Sequence, residues 1–139
     1  MSREEALPPT EAPTVRVVAM PGDTNPYGDI FGGWLVSMMD SAAGSVAARY
    51  SHGRSVTIAI DGMTFLRPVF VGDEVSVYAR LLSTGRTSMK IAVEAWRRAR
   101  HDEHSYKVTS AVFTFVAVSE DRQPRRVQAL PATDGTETA

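Results

Sequence analysis

The chain has 139 residues, 43% of them hydrophobic and 22% charged, and a formal net charge of −1, which fits one globular domain with no overall attraction to nucleic acid or to an anionic membrane. It contains no cysteine, which excludes disulfides, thiolate catalysis and cysteine metal sites. No apolar run reaches the roughly 18 residues needed to cross a bilayer, and the N-terminus lacks the apolar stretch of a signal peptide, so we expect a cytoplasmic protein.

The predicted secondary-structure elements begin after a polar N-terminal segment. Residues 1–13 carry three prolines and three glutamates, which predicts a flexible tail. Residues 120–139 are rich in proline, threonine and alanine and predict a second flexible tail, so the folded domain is expected at 14–119. A first strand is predicted at 15–18 from its β-branched residues, and the turn-forming residues of 20–29 predict a loop.

A helix is predicted next, from Gly32 to Tyr50, because apolar side chains recur there at helical spacing. The residues that define this spacing are Trp34, Leu35, Met38, Met39, Ala42, Val46 and Ala47. The other faces hold almost only glycine, alanine, serine and valine, so we expect the helix to be buried on all sides. Residues 51–53 supply a stop.

Beyond the helix the apolar period changes to two, which is typical of strands. Strands are predicted at 55–60, 75–81, 89–96 and 106–118, with an extended segment at 63–69 that Pro68 interrupts. Turns separate neighbouring strands, so the sheet should be mainly antiparallel. One strand, one buried helix and four or five further strands predict an α+β fold in which a strongly curved antiparallel sheet wraps the helix. A partner subunit would cover the rest of the helix.

Asp40 is the candidate that stands out for chemistry, because it is the only charged residue between Gly32 and Ala48. A carboxylate in an apolar helix is costly to bury, and such acids are candidate catalytic groups. The alternative is a structural role, in which Asp40 accepts hydrogen bonds from a loop or caps a neighbouring element.

Two further candidates lie around the start of this helix. Gly32 and Gly33 would leave unpaired N–H groups open at the positive end of the helix dipole, where they can stabilise an oxyanion; a tight loop-to-helix turn is the alternative. Asn25, in the preceding loop, could orient a water or a substrate oxygen, or could be an ordinary turn asparagine before Pro26.

Candidate phosphate contacts occur later in the chain. A glycine turn, a cation and two hydroxyls suit phosphate groups, although the same stretch also suits a solvent-exposed hairpin; these residues are Gly85, Arg86, Thr87 and Ser88. Arg67 could be a second phosphate contact or a surface charge. The three histidines form no recognised metal or nucleophile motif, so no metal site is expected.

Four segments of the chain match one family in the same order. They are DTNPYGDIFGGWLVSMMDSAAG at 23–44, GMTFLRPVFVGDEV at 62–75, GRTSMKIAVEAW at 85–96 and FTFVAV at 113–118. Together they resemble the YciA-like acyl-CoA thioesterases of hotdog fold, relatives of the cytosolic brain-type acyl-CoA hydrolases. The resemblance covers about residues 14–120, and four motifs in register are more specific than any one of them.

The resemblance implies a hotdog fold and hydrolysis of acyl-CoA thioesters to free coenzyme A and a carboxylic acid. It implies Asp40 as general base or nucleophile, Asn25 as an assisting residue and backbone donors around Gly32 and Gly33. It also implies that coenzyme A, which is part of the substrate, binds across a subunit interface with a contribution from 85–88, and that no further cofactor is required. Family members commonly form hexamers, as trimers of hotdog dimers.

Helix geometry independently favours a site shared between subunits. Asp40 follows Gly33 by seven residues, so the two lie on nearly the same helix face about 10 Å apart along the axis. A base and an oxyanion donor must each come within about 3 Å of their reacting atoms. One helix can hardly provide both groups to one carbonyl, whereas two helices from adjacent subunits can.

Two other functions fit the sequence less well. A hotdog hydratase or dehydratase would need proton transfer at carbon, and the helix motif contains no histidine for it. A non-catalytic acyl-CoA-binding module has no need for Asp40 together with helix-end glycines. The sequence leaves the acyl chain length open, because pocket depth depends on packing.

Overall fold

The computed structural model describes residues 7–130. The elements in chain order are β1 (Val15–Val18), a short 3-10 turn (Pro21–Asp23), α1 (Gly32–Ser51), β2 (Ser55–Asp61), β3 (Glu74–Thr84), β4 (Ser88–Arg98) and β5 (Ser105–Ala117). These bounds confirm the predicted order of one strand, one helix and four further strands. The extended segment predicted at 63–69 forms no strand.

The strands form one antiparallel sheet in the order β1-β3-β4-β5-β2. The sheet curls around α1, and the helix packs against β2, β3, β4 and β5. Fully buried side chains from both layers fill the space between them, among them Met39, Val77, Met89, Ile91 and Phe113. This is the hotdog architecture that the sequence predicts.

Within one chain, α1 reaches the predicted burial on one face only. Leu35 and Met39 point into the core, whereas Gly33, Ser37 and Ser41 are exposed. One curved sheet has one concave face and therefore covers one side of a helix. The uncovered side carries small residues, which leaves room for a ligand or a second chain.

Strand β2 forms one edge of the sheet and exposes apolar side chains. Val56, Ile58 and Ile60 are 44%, 59% and 40% exposed, and β2 pairs only with β5 among the strands of residues 7–130. The pairing register shifts between Thr57 and Ala59, which marks a β-bulge. An open, apolar strand edge is a surface at which another strand readily adds.

The C-terminal end of α1 is capped by an arginine that follows β5. His52 ends the helix in the left-handed conformation, with φ 58°. The guanidinium of Arg125 donates hydrogen bonds to the carbonyl oxygens of Ser51 and Arg54, at 2.8 and 3.1 Å. It lies over Gly53, where an added Cβ would come within 2.7 Å of Arg125 Nη2. Gly53 therefore leaves room for the arginine to reach the carbonyl of Ser51, the last helical residue, and the carbonyl of Arg54 just beyond it.

Residues 120–130 lie against the domain and extend its folded part past the predicted boundary at residue 119. The N–H of Arg125 donates to the carbonyl of Ala117, and the N–H of Val127 donates to the carbonyl of Arg86, each at 2.9 Å. Residues 1–6 and 131–139 of the two predicted tails lie outside the described residues. The flexibility of the tails stays a prediction.

The Arg125 cap should contribute measurably to stability. We expect Arg125→Ala to lower the free energy of unfolding by about 2 kcal/mol, because hydrogen bonds from a charged donor to the carbonyls of Ser51 and Arg54 are lost. Chemical denaturation at a fixed protein concentration measures this difference. Arg126→Ala is the control, since Arg126 is exposed and a surface change should have little effect. Equal stability of the two variants would mean that the cap does not stabilise the helix end.

Candidate active site

The first turn of α1 presents unpaired backbone donors. The helix begins after Phe31, which makes no side-chain capping bond, and within residues 7–130 the N–H groups of Gly32 and Gly33 donate no hydrogen bond. Neither glycine has a positive φ, so the backbone conformation does not require glycine here. The missing side chains instead leave the two N–H groups open to approach at the positive end of the helix.

An apolar cleft lies beside Gly32. It has a volume of about 160 Å³ and is lined by Ile30, Phe31, Gly32, Leu35, Phe65, Arg67, Pro68, Val69 and Val108. Arg67 is the charged residue of this lining, and its Nη1 donates to the carbonyl of Lys107 at 2.8 Å while the guanidinium lies 5.2 Å from the ring centroid of Tyr106. The structure thus places Arg67 in a cleft wall and in contact with β5. The cleft suits an apolar group held next to the helix N-terminus.

A second, open groove brings Asn25 and Gly33 together, and its lining continues to Ser37. The Oδ1 atom of Asn25 accepts hydrogen bonds from the N–H groups of Tyr27 and Asp29, at 2.8 and 3.1 Å, so the side-chain oxygen holds the turn. The side-chain NH₂ group donates no hydrogen bond within residues 7–130. The side-chain oxygen of Asn25 therefore has a structural role, whereas its NH₂ group is available to donate a hydrogen bond to a ligand.

Asp40 lies in the third turn of α1 and is half-buried. Its Oδ1 atom accepts a hydrogen bond of 2.6 Å from Thr57 Oγ1, at the bulge in β2. The Oδ2 atom accepts none within the part of the chain that the structure describes. One oxygen is thus held in place by a neighbouring strand, and the other remains available to a water or a substrate.

Thr57 is the residue at this site that the sequence did not single out. A threonine in a strand is ordinary, and its hydrogen bond to Asp40 arises only when β2 packs against α1. The exposure of the apolar side chains on either side of it, Val56 and Ile58, is visible only in the structure, where it indicates that this strand borders something other than solvent.

The helix face around Asp40 is lined by small residues. Asp40 follows Gly33 by seven residues and Ser37 by three, and it precedes Gly44 by four. These spacings place all three residues on the same side of the helix as Asp40. Ser37 also lines the groove that holds Asn25. The groove therefore runs along the helix toward Asp40, although Gly33 and Asp40 remain about 10 Å apart along the axis.

The hairpin that carries the candidate phosphate contacts lies at the opposite end of the helix. Gly85 N–H donates to the carbonyl of Ser88, and Ala117 N–H donates to the carbonyl of Thr87, each at 2.9 Å. Ala117 in turn accepts from Arg125, which caps the helix C-terminus. A 20-residue helix is about 30 Å long, so one chain does not bring this hairpin to the N–H donors of the first turn.

Two further properties bear on function. Within residues 7–130, no group of three or more histidine, aspartate or glutamate side chains is arranged to hold a metal ion. In the same part of the chain, no helix combines the length and the hydropathy that a bilayer crossing requires.

Comparison with known proteins gives consistent matches along most of the chain. The model of the thioesterase superfamily matches residues 27–103. An uncharacterized acyl-CoA thioester hydrolase of Zymomonas mobilis is 55% identical over 93% of this chain and 87% of its own. The acyl-CoA thioester hydrolase YciA of Escherichia coli K12 is 49% identical over 84% of this chain and 89% of its own. A crystal structure of a hexameric thioesterase from Yersinia pestis is 46% identical, covers 87% and 98% of the two chains, and has a TM-score of 0.82.

Proposed function

Because this chain belongs to the thioesterase superfamily, we propose that it hydrolyses acyl-CoA thioesters to free coenzyme A and a carboxylic acid. One observation carries the proposal. A single helix begins with two open N–H donors beside an apolar cleft, and its third turn holds a carboxylate with one available oxygen. These are the groups that a thioester carbonyl needs: a place for the oxyanion, a place for the acyl chain and a base.

The reaction follows from these groups. Asp40 removes a proton from a water, whose oxygen forms a bond to the thioester carbonyl carbon. The carbonyl oxygen becomes negatively charged and is stabilised by the N–H groups of Gly32 and Gly33 at the start of the helix of the other subunit. The intermediate then collapses, the carbon–sulfur bond breaks, and the coenzyme A thiolate takes up a proton. Alternatively, Asp40 attacks the carbonyl itself and forms an anhydride, which water then hydrolyses.

A single turnover in water enriched in oxygen-18 detects the nucleophilic route when water opens the anhydride at the Asp40 carbonyl. If Asp40 acts as general base, every acid molecule receives one oxygen from water. An acid product free of the label would require attack by Asp40, because its second oxygen could then come only from the protein.

The site is proposed to form between two subunits. Asp40 is tied to Thr57 on the edge strand, about 10 Å along the helix from the open N–H groups of the same chain. A second chain placed with its β2 next to this β2 would cover the exposed apolar edge and bring its own helix N-terminus near Asp40. The candidate phosphate contacts at 85–88 could then serve a coenzyme A bound across the interface.

The assembly and the cellular compartment are part of the same proposal. We propose a trimer of hotdog dimers in the cytoplasm, with coenzyme A supplied by the substrate and no other cofactor. The hexameric state of the Yersinia pestis relative supports the assembly, and the exposed β2 edge supplies a contact for its dimer.

A thiol-release assay with acyl-CoA substrates of short, medium and long chain tests the proposed function. We expect free thiol to appear in proportion to the acid formed. A non-catalytic acyl-CoA-binding module would bind the same compounds without releasing thiol. A hydratase would change the absorbance of an enoyl-CoA and leave its thioester intact. Binding without thiol release would contradict hydrolysis and support the binding module, and a change in enoyl absorbance with an intact thioester would support the hydratase.

Coenzyme A itself should bind and stabilise the protein, and Arg86 should contribute to its binding. Free coenzyme A is expected to raise the melting temperature by mass action. Arg86→Ala should raise the dissociation constant about tenfold, because an exposed cation next to the phosphates is lost. Isothermal titration of coenzyme A into both proteins measures this difference.

The matched control is Arg100→Ala. Arg100 is also an exposed arginine in a turn, but it follows β4 and lies at the other end of that strand from Arg86. Its replacement should leave the affinity unchanged. Equal affinity of wild type and Arg86→Ala would show that Arg86 is a hairpin charge without a role in coenzyme A binding, while hydrolysis itself would be unaffected by that result.

A further inference from the structure

The apolar cleft has one wall that belongs to no helix or strand. This wall segment, residues 64–73, connects β2 to β3 and supplies Phe65, Arg67, Pro68 and Val69 to the cleft lining. A segment outside the sheet lacks a continuous ladder of backbone bonds, so other contacts must fix its shape. Its conformation decides where one side of the cleft lies.

The first half of the wall segment is fixed by β5. The carbonyl of Thr64 accepts a hydrogen bond from Thr109 Oγ1, and the N–H of Leu66 donates to the carbonyl of Val108, both at 2.7 Å. These two hydrogen bonds hold residues 64–66 beside β5, in the way that a ladder of backbone bonds would hold a neighbouring strand.

The second half of the wall segment is fixed in two ways. At its end, the N–H of Gly72 donates to the carbonyl of Ala19 at 2.8 Å, and the carbonyl of Asp73 accepts from the N–H of Ala19 at 2.9 Å. At Pro68 and Phe70 it is held by the side chain of Arg97 on β4. Its Nε donates to the carbonyl of Pro68 at 3.1 Å and lies 3.3 Å from Asp73 Oδ2. The same Oδ2 accepts from the N–H of Phe70 at 2.9 Å. The guanidinium lies 5.3 Å from the ring centroid of Phe70 and 5.5 Å from that of Tyr106. The side chains of Arg97 and Asp73 are only 15% and 5% exposed. Together these two side chains form a largely buried clamp on Pro68 and Phe70 of the wall segment.

The clamp extends to the start of the helix. Val69, between the two clamped residues Pro68 and Phe70, accepts a hydrogen bond from the N–H of Ile30 at 3.4 Å, and Ile30 precedes the first residue of α1 by two positions. A movement of the clamp would therefore displace both the cleft wall and the approach to Gly32.

We infer that Arg97 is a positioning residue that sets the acyl-chain preference of the enzyme by holding the wall segment against the cleft. The inference rests on the proposed function, in which the cleft receives the acyl chain. Arg97 touches the wall and not the reacting atoms. A planar guanidinium that bonds Pro68, pairs with Asp73 and lies over aromatic rings is not replaceable by the single ammonium of lysine.

The test compares kcat/KM across acetyl-, hexanoyl- and decanoyl-CoA for wild type, Arg97→Lys and Asp73→Asn. Asparagine at position 73 keeps an oxygen for the N–H of Phe70 but loses the charge that faces Arg97. In both variants we expect the ratio of decanoyl- to acetyl-CoA activity to change about tenfold, the scale on which pocket contacts discriminate chain length. The change should appear mainly in KM, since the chemical step is untouched.

Arg98→Lys is the matched control. Arg98 is the next residue on β4 and pairs with Glu74 at a more exposed position, so its replacement should leave the ratio unchanged. A lowered melting temperature with an unchanged chain-length ratio in both test variants would overturn the inference and leave Arg97 a purely structural residue. If Arg97→Lys does not fold, the ratio measured for Asp73→Asn decides. Failure of the proposed function would be visible separately, as no thiol release from any substrate by the unsubstituted enzyme.

Discussion

Replacing Asp40 by asparagine is expected to lower the turnover number by about a hundredfold or more while leaving the fold intact, the usual scale for the loss of a general base. Asparagine retains an oxygen that can accept the hydrogen bond from Thr57, so the side chain should keep its position. It cannot remove a proton from water or attack a carbonyl. Steady-state thiol release measures the loss, and circular dichroism with native mass spectrometry checks fold and assembly.

The matched control for this substitution is Asp121→Asn, which makes the same chemical change at an exposed turn after β5. Its turnover number should equal that of the wild type. A folded Asp40→Asn protein with near wild-type turnover would remove Asp40 from the mechanism and leave hydrolysis to another group.

Activity should return when two inactive variants are mixed, provided that Asp40 of one subunit works with Asn25 of the other. The variants are Asp40→Asn and Asn25→Asp. Aspartate at position 25 keeps the oxygen that accepts from Tyr27 and Asp29, so the turn should persist while the NH₂ donor is lost. After subunit exchange, each mixed dimer has one site with both lesions and one site with neither. Random exchange makes half of the dimers mixed, so about a quarter of wild-type activity should appear.

A second mixture provides the control. Wild type is exchanged with a subunit that carries both substitutions, so a shared site leaves every mixed dimer with one lesion in each of its two sites. Activity should then fall below the value expected from the wild-type subunits alone. If the first mixture stays inactive although mass spectrometry detects mixed dimers, the two residues do not meet across an interface, and the shared-site mechanism is wrong.

The positions of the elements were predictable because they depend on local patterns. Apolar spacing placed the helix within one residue of its observed end at Ser51, and alternation placed the hairpin strands β3 and β4. The apolar segment at 63–69 resembles a strand in composition but forms the wall of the cleft, because its bonds to β5 are made by Leu66 N–H and by the side chain of Thr109. The spacing of apolar residues does not distinguish a strand from an extended segment that makes only isolated hydrogen bonds to its neighbour.

The sequence shows several residues of the candidate site but not their contacts, and the roles of these residues stay a prediction. A lone acid in an apolar helix and two glycines at its start are visible in the sequence. The bond from Thr57 to Asp40 depends on how β2 crosses the helix, and the cap by Arg125 depends on where β5 delivers the chain. Both join residues far apart in sequence, and such tertiary contacts have no local signature.

The position of β2 in the sheet also fixes an order of events during protein synthesis. β2 is made directly after α1, yet its partner is the last strand, with Ser55 opposite Ala117 and Asp61 opposite Val112. A chain emerging from the ribosome therefore carries an uncovered apolar helix and an unpaired strand throughout the synthesis of β3 and β4. An mRNA truncated before the codon of residue 105 would therefore not yield a merely weakened enzyme. It would yield a chain without its closing strand β5, and the exposed apolar surface of that chain would be recognised by chaperones and proteases.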